Sequence, residues 1–241
     1  MKRIITVILV LFAFSTVSLT ADVYIKQKQH TDEFSMMGQT QPAKDEISDL
    51  WIGKDKFAMH GKEMSIIIDL NAKKMYMINH KNKSYVPMDL PLDLSKYFPP
   101  QLQQMMQGIT VKVNPTGEKK KINNWKCEGY DVKMNIMMMD MTQKVWASTD
   151  VPFDWKAFNE KMFPQFTQAM MRLDEDAIQE FLKIKGFQIR TEMTMSIMGA
   201  DMKQWTEVVE ISKKSAPAGT YSFPEGYTKK DKFDMADMQK R

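Results

Sequence analysis

The chain has 241 residues, of which 43% are hydrophobic and 27% are charged, and its formal net charge is +4. This balance is typical of a globular protein and gives no electrostatic reason to expect nucleic-acid binding. Because Cys127 is the only cysteine, an internal disulfide is excluded and stability must come from the burial of apolar side chains.

Residues 1–21 are predicted to be an export signal. Two basic residues precede an apolar run over residues 4–14, and small residues then lead to Ala21, after which the sequence becomes polar. We place cleavage after Ala21, with Ser18 as an alternative site. An uncleaved membrane anchor is the other interpretation of this segment. Cleavage after Ala21 would leave 220 residues, a net charge of +2 and no membrane span, in the periplasm or an equivalent compartment.

Six short runs that follow the signal predict successive β-strands. They are rich in β-branched and aromatic residues and are separated by turn segments such as Gly61 and residues 71–73. Connections this short force neighbouring strands to be antiparallel, so we expect a meander. The predicted strands cover residues 23–31, 47–52, 57–60, 64–70, 75–79 and 84–88.

The meander is followed by a less regular region. A short helix is predicted over residues 101–107. After it, the sequence predicts a hairpin whose strands cover residues 109–114 and 118–122, with its turn around Pro115 and Gly117.

Two later segments, residues 130–138 and 187–197, alternate apolar and polar side chains, and residues 205–211 predict one more strand. Such alternation is typical of strands with one buried and one solvated face, and it favours a single curved layer around an interior. The side chains expected to face that interior are Val132, Met134, Ile136, Met138, Ile189, Met193, Met195 and Ile197.

Residues 154–186 form the clearest helical block, and two helices are predicted there. In the first, apolar residues recur at spacings of three and four, and Pro164 predicts a kink or a restart. The second begins after the N-cap Asp174 and ends at Gly186. The first helix should present Trp155, Phe158, Met162, Phe166 and Met170 on one face, and the second should bury Ala177, Ile178, Phe181 and Leu182.

Together these elements predict an α+β fold in which helices lie on a large curved antiparallel sheet. A single domain covers residues 22–228 and contains the helical block as an insertion. Residues 229–241 are strongly charged and are expected to form a flexible tail.

The run WIGKDKFAMHGKEMSIIIDLNAKKMYMINHKNKSYV, the export signal, the helical insertion and the closing FPEGY form a familiar combination. It resembles an uncharacterised exported family of the LolA-like superfamily, which includes periplasmic lipoprotein carriers. The resemblance implies an open half-barrel whose concave apolar side is covered by helices and, in the carriers, holds acyl chains. It is strongest at Trp51, Gly53, Lys56, Ile67, Asp69, Lys74, Tyr85, Pro87, Trp125, Cys127, Tyr130 and residues 223–227.

We therefore expect a monomeric binding protein for a lipid, a lipoprotein or another hydrophobic molecule, with no cofactor and no chemical step. The chain contains 24 methionines, and unbranched thioether side chains adapt to irregular apolar guests. The expected cavity residues are Val132, Met134, Ile136, Met138, Trp155, Phe158, Met162, Phe166, Ile189, Met193, Met195 and Ile197.

Three alternatives remain open from the sequence. The same apolar residues could simply fill a core, which would leave a structural or protein-interaction module of the cell envelope. Thioethers bind Cu(I), and Met137, Met139 and Met141 share one face of a strand. An enzyme is disfavoured because the sequence contains no GxSxG, HExxH or phosphate-loop motif, and Cys127 is interpreted as a small apolar filler.

Overall fold

A computed structural model of the chain describes residues 22–36, 39–97, 109–136, 139–164, 167, 173–197 and 200–232. Some predicted features lie outside these residues. They are the export signal, the short helix over residues 101–107, Met137, Met138, Phe166 and Met170, and residues 233–241 of the charged tail.

The described part of the chain consists mainly of strands. In chain order they are β1 (Asp22–Thr31), β2 (Phe34–Met36), β3 (Gln39–Gln41), β4 (Lys44–Ile52), β5 (Lys56–His60), β6 (Met64–Asp69), β7 (Lys74–Asn79), β8 (Ser84–Asp89), β9 (Ile109–Ile122), β10 (Trp125–Ile136), β11 (Met139–Ser148), β12 (Phe187–Ile197), β13 (Ala200–Lys214) and β14 (Thr228–Lys229).

Twelve of these strands form one open sheet in the order β14-β8-β7-β6-β5-β4-β1-β13-β12-β11-β10-β9, while β2 and β3 pair separately. Neighbouring strands of the large sheet run antiparallel, except that β14 runs parallel to β8. The predicted antiparallel meander is confirmed, because β4 to β8 are consecutive both in sequence and in space.

Short turns hold the meander together. The Gly61 N–H donates to the Met64 carbonyl at 2.9 Å, and the Leu70 N–H donates to the Asp55 carbonyl at 2.9 Å. Lys73 and Lys83 adopt positive φ values of 51° and 48° in the tight turns before β7 and β8. Turns of this length leave no room for a crossover, so the strands they join must be antiparallel.

The hairpin predicted around Pro115 and Gly117 is wrong. Ile109–Ile122 is one continuous strand, β9, and it pairs with β10 on both sides of a register shift between Glu128 and Tyr130. Gly117 has a φ of 74°, a conformation that glycine adopts without steric cost. Because β9 is the last strand of the sheet, proline and glycine are accommodated there as an irregularity within the strand, not as its end.

The first half of the sheet buries both of its faces. On the face that we call inner, Phe57 and Ile68 belong to the main core, while Ala58 and Ile67 alternate with them on the outer face. The segment over residues 216–227 packs on the outer face, so this half of the sheet has apolar clusters on both faces, unlike the one buried face expected for the later strands. The outer cluster contains Tyr24, Trp51, Ala58, Ile67, Ile78, Ala216, Tyr221 and Tyr227.

The described helical pieces are short: α1 (Leu94–Tyr97), α2 (Trp155–Ala157) with a π-helical turn (Phe158–Met162), and α3 (Glu175–Phe181). The Asp174 carboxylate accepts a hydrogen bond from the Ala177 N–H at 2.8 Å, so the predicted N-cap is confirmed. Helix α3 ends at Phe181, earlier than expected.

Near Pro164 the first helical piece widens into the π turn, in which the Phe163 N–H donates to the Phe158 carbonyl. Proline has no N–H with which to continue the regular α-helical pattern, so irregular hydrogen bonding around it has a physical cause. Within the described residues, no helix is both long enough and apolar enough to span a membrane.

Candidate functional site

A cavity of about 390 Å³ lies between the inner face of the sheet and the helical pieces. On the helical side its described lining is Phe158, Asn159, Met162, Phe163, Phe181, Leu182, Ile184 and Gly186. On the sheet side it is Gln27, Leu50, Phe57, Met59, Ile68, Leu70, Gln143, Phe187, Gln188, Ile189, Arg190, Thr191, Met193, Gln204, Thr206 and Val208.

The sheet curves around this cavity. Ile68 on β6 and Gln143 on β11 both line it, although the strands β5, β4, β1, β13 and β12 lie between β6 and β11 in the sheet. In a flat sheet, spacings of about 4.8 Å would place the two strands about 29 Å apart. A cavity of about 390 Å³ touches both only if the sheet bends toward the helical side.

Three aromatic rings pack together at one side of the cavity, and two of them, Phe158 and Phe187, line it. Phe158 in the π turn meets Phe187, at the start of β12, edge to face with ring centroids 5.6 Å apart. Phe153 contacts both rings, at 6.3 Å from Phe158 and 5.2 Å from Phe187. Edge-to-face pairs of this kind contribute about 0.5–1.5 kcal/mol each beyond simple burial, so the π turn is held against the sheet.

A polar contact reinforces the same junction. The Asn159 side-chain amide donates to the carbonyls of Gly186 at 3.2 Å and Ile184 at 3.4 Å. Asn159 therefore ties the π turn to the loop between α3 and β12.

One part of the cavity wall carries neutral polar side chains in a row. Gln143 on β11 lies opposite Met193 on β12, which lies opposite Gln204 on β13, and Thr191 lies opposite Thr206 in the next inward-facing row. The Gln143 amide nitrogen lies 3.4 Å from the sulfur of Met141 and 3.7 Å from that of Met193. The cavity thus has hydrogen-bonding groups at one part of an otherwise apolar wall.

Arg190 is the only ionisable residue among the described lining residues, and its side chain lies on the face of β12 opposite to that of Thr191 and Met193. Its guanidinium donates to Glu192 at 2.7 Å and to Glu207 at 2.5 Å, and it lies 4.9 Å from the ring centroid of Trp205. Two carboxylates therefore compensate this cation, and its donors are directed to residues of its own sheet.

The structure brings together four of the residues predicted to line a cavity. Phe158 and Met162 reach it from the π turn, and Ile189 and Met193 reach it from β12. Trp155 is half-buried and is not part of the lining that the structure describes. Met138 and Phe166 lie outside the described residues, and the side chains of Ile136 and Ile197 are likewise not described.

The other predicted lining residues lie in a second apolar cluster under α3. Val132 and Met134 are buried there against Ala177, Ile178 and Phe181, with Met195 partly buried at its margin. The Val113 N–H donates to Glu180 of α3 at 2.8 Å, and the Lys185 N–H donates to the Tyr130 hydroxyl at 3.1 Å. This end of the inner face is packed directly against helix α3.

A protein family described as a domain of unknown function, DUF4412, matches residues 36–227. The chain belongs to the DUF4412 family. No curated protein matches the sequence. The DUF4412 match includes every described residue that lines the cavity except Gln27.

Within the DUF4412 match, the strands of the meander supply lining residues that were not predicted. Leu50, Phe57, Met59 and Ile68 reach the cavity from β4, β5 and β6. Strand geometry places Phe57 and Met59 on one face of β5 because they are two residues apart. Apolar residues occupy both faces of β5 and β6, so no sequence signal indicates which face lines a cavity. The glutamines and threonines of the polar row gave no signal either, because polar residues are expected on the solvated face.

The three histidines of this DUF4412 protein do not share one site. His60 and His80 both contact the Ser65 hydroxyl, at 3.2 and 2.7 Å, on the outer face. His30 lies at the C-terminal end of β1 and contacts Asp45 at 2.8 Å. In the described ranges, no group of three His, Cys, Asp or Glu side chains is arranged to hold a metal ion.

Of the three methionines considered for Cu(I), Met141 is the one whose side chain the structure describes. Met141 is 8% exposed and belongs to the second apolar cluster. The side chain of Met139 is not described, and Met137 lies outside the described residues. The described member of this group is therefore buried among apolar side chains.

Cys127 is a buried thiol on β10. It is 2% exposed, and its sulfur lies 3.7 Å from the Trp125 carbonyl, to which it can donate. Burial raises its pKa to about 11. A thiol in this state is a poor nucleophile, which agrees with its interpretation as a core residue.

Proposed function

We propose that the protein binds and carries a hydrophobic ligand, a lipid or the lipid part of an acylated protein, outside the cytoplasm and without a chemical step. The observation that supports this most strongly is the cavity of about 390 Å³ between the sheet and the helical pieces. Ligand sites commonly have volumes of about 300–1,000 Å³. At ~30 Å³ for each methylene, which is the volume that one water occupies in the liquid, the cavity has room for about a dozen methylenes.

In this proposal the sheet is a LolA-like half-barrel, and the helical block covers its concave face. The contacts of Phe158 with Phe153 and Phe187 support a cover that closes on the sheet. These contacts are few and involve partly buried side chains, so their separation costs much less than unfolding. Transfer then follows from a difference in ligand affinity between open and closed forms.

The chemistry of the wall supports an adaptable apolar guest. Met59, Met162 and Met193 line the cavity from three different elements. Flexible thioether side chains repack around ligands of different shape at low cost. An apolar hollow of this kind favours occupancy, because exposed apolar surface is unfavourable in water.

The export pattern of residues 1–21 supports a function outside the cytoplasm. We propose that a monomer with residue 22 at its start performs the function in the periplasm. Its exchange partners would be the membrane surface or another envelope protein that donates or receives the ligand.

The test is a titration with N-phenyl-1-naphthylamine, an uncharged dye that becomes fluorescent in apolar surroundings. Wild-type protein should bind one dye molecule. Met193→Asp and Phe158→Asp should weaken binding at least about tenfold, because each places a charge in the apolar space. Ile47→Asp is the matched control, since Ile47 is 52% exposed and lies outside the cavity lining.

Met193→Trp fills the cavity without adding a charge and should also abolish dye binding. Circular dichroism and thermal unfolding verify that each variant is folded. Equal dye binding by the wild type and by folded Met193→Trp would overturn the proposal.

The alternatives from the sequence have different outcomes in the same experiments. A structural or protein-interaction module would bind no dye and would form a stable complex with another envelope protein. A Cu(I) protein would compete with a chelator for Cu(I), and Met141→Leu would lower its affinity for Cu(I). Neither alternative predicts any effect of Met193→Trp.

A further inference from the structure

The cavity is apolar over most of its wall, but it has a distinct polar part that the proposed binding of an acyl chain does not by itself explain. The polar part consists of Gln27, Gln143, Thr191, Gln204 and Thr206, contributed by β1, β11, β12 and β13. Gln143, Gln204, Thr191 and Thr206 belong to two adjoining inward-facing rows, and Gln27 lies opposite Val208, two residues along β13 from Thr206.

Two of these amides are available for hydrogen bonding. Within the described part of the chain, the side chains of Gln27 and Gln204 have no hydrogen-bond partner. Both amides are partly exposed, because neither is one of the fully buried polar groups without a partner. A primary amide offers two N–H donors and one acceptor oxygen. An amide or ester group, or a hydroxyl, placed at this wall could both accept from and donate to it.

The same wall does not suit a charged group. Arg190, the only ionisable residue in the described lining, already donates to Glu192 and Glu207. A carboxylate or phosphate that entered the cavity would lose water without meeting an uncompensated cation. Burial of an ion without a partner costs several kcal/mol, whereas burial of a neutral polar group that gains hydrogen bonds has a small free-energy cost.

We propose that the cavity selects an acyl chain whose polar end is a neutral ester or amide, and that it discriminates against fatty-acid anions and long-chain ammonium ions. This inference rests on the proposed function, since it assigns the polar end of the same ligand. The apolar chain lies among Phe57, Phe158 and Ile189, and the ester or amide lies at Gln143 and Gln204.

The experiment is a displacement series on wild-type protein loaded with N-phenyl-1-naphthylamine. The competitors share one acyl chain: monomyristoylglycerol, an N-myristoylated peptide amide, myristate and myristyl ammonium. We expect both neutral compounds to displace the dye at concentrations about tenfold lower than either ion, a difference of about 1.4 kcal/mol. A glycerol ester that outcompetes the peptide indicates a free lipid, and the reverse indicates an acylated protein.

A pair of variants on one strand tests the assigned position. Gln143→Lys places a cation at the polar row and should shift preference toward myristate by about tenfold. Thr142→Lys is the control, because Thr142 is exposed and precedes Gln143 on β11, where successive side chains point to opposite faces. Gln204→Lys repeats the test from β13 in case the first variant does not fold.

The outcomes separate the two proposals. Failure of the wild type to bind the dye contradicts the carrier function itself. Normal dye binding with equal or stronger displacement by myristate overturns only the assignment of a neutral polar end. Normal preference for neutral compounds with no shift in folded Gln143→Lys and Gln204→Lys overturns the assigned position.

Discussion

The ring of Phe158 meets the ring of Phe187 edge to face, with centroids 5.6 Å apart and an interplanar angle of 68°. This contact joins the π turn to the first residue of β12, and both rings line the cavity. The geometry therefore links the position of the helical segment to the shape of the space beneath it.

Removal of this contact should loosen the helical segment. Phe158→Ala deletes two edge-to-face pairs and a half-buried aromatic ring, so we expect the free energy of unfolding to fall by about 2 kcal/mol. Denaturant unfolding measures this change. The dye dissociation rate should increase as well, because the same ring closes the cavity.

Trp155→Ala is the comparison for Phe158→Ala. Trp155 lies on the same helical segment but outside the described lining, so its loss should leave the dye affinity within about twofold of the wild type. An equal loss of affinity in both variants would contradict the role given to the Phe158 contact.

The outer-face histidine network predicts how stability depends on pH. The pKa of His80 is lowered mainly by burial and, to a smaller extent, by repulsion from His60. A histidine with a lowered folded pKa adds stability above its unfolded value of about 6.5, and this stability is lost as the pH falls toward the folded pKa. His80→Gln should therefore flatten the decrease in unfolding free energy between about pH 7 and pH 5.

His30 is the control, because its pKa is shifted in the opposite direction. Its hydrogen bond to Asp45 is the main cause of a raised pKa, so its contribution is complete below the unfolded pKa and is lost as the pH rises through the folded pKa. His30→Gln should make the acid-side decrease steeper. Identical pH profiles for the two variants and the wild type would show that neither histidine is linked to folding.

The state of Cys127 predicts its reactivity. With burial and a pKa of about 11, the native thiol should react with Ellman's reagent orders of magnitude more slowly than a free cysteine. In denaturant it should react at the ordinary rate. Rapid labelling of the native protein would show that Cys127 is accessible and would contradict its place in the core.

The export proposal predicts the amino terminus of the protein in its native cells. Mass spectrometry of protein from the periplasmic fraction should find Asp22 as the first residue, or residue 19 if the alternative site after Ser18 is used. Full-length protein in the membrane fraction would support the retained anchor. Full-length protein in the cytoplasm would contradict export.

Strand prediction worked where short apolar runs are bounded by turn residues. In β5 and β6, apolar residues occupy both faces, and the turn at Gly61 joins the two strands as expected. Prediction failed at Pro115 and Gly117, because these residues mark either a turn or an irregularity in an edge strand. The position of β9 at the edge depends on tertiary structure, which local sequence does not contain.

The candidate site was predicted only in part for a similar reason. Helical spacing identified Phe158 and Met162, and alternation identified Ile189 and Met193, all of which line the cavity. The same alternation selected Val132 and Met134, which pack under α3. A periodic pattern assigns a face, but it does not say whether a helix or an open space lies against that face.

Native mass spectrometry tests the central claim most directly. Protein over residues 22–241, mixed with monomyristoylglycerol, should show one bound molecule per chain, and folded Met193→Trp should show none. The absence of a complex with the wild type, or the same complex with Met193→Trp, would contradict the claim that the space between the π turn and β12 is the ligand site.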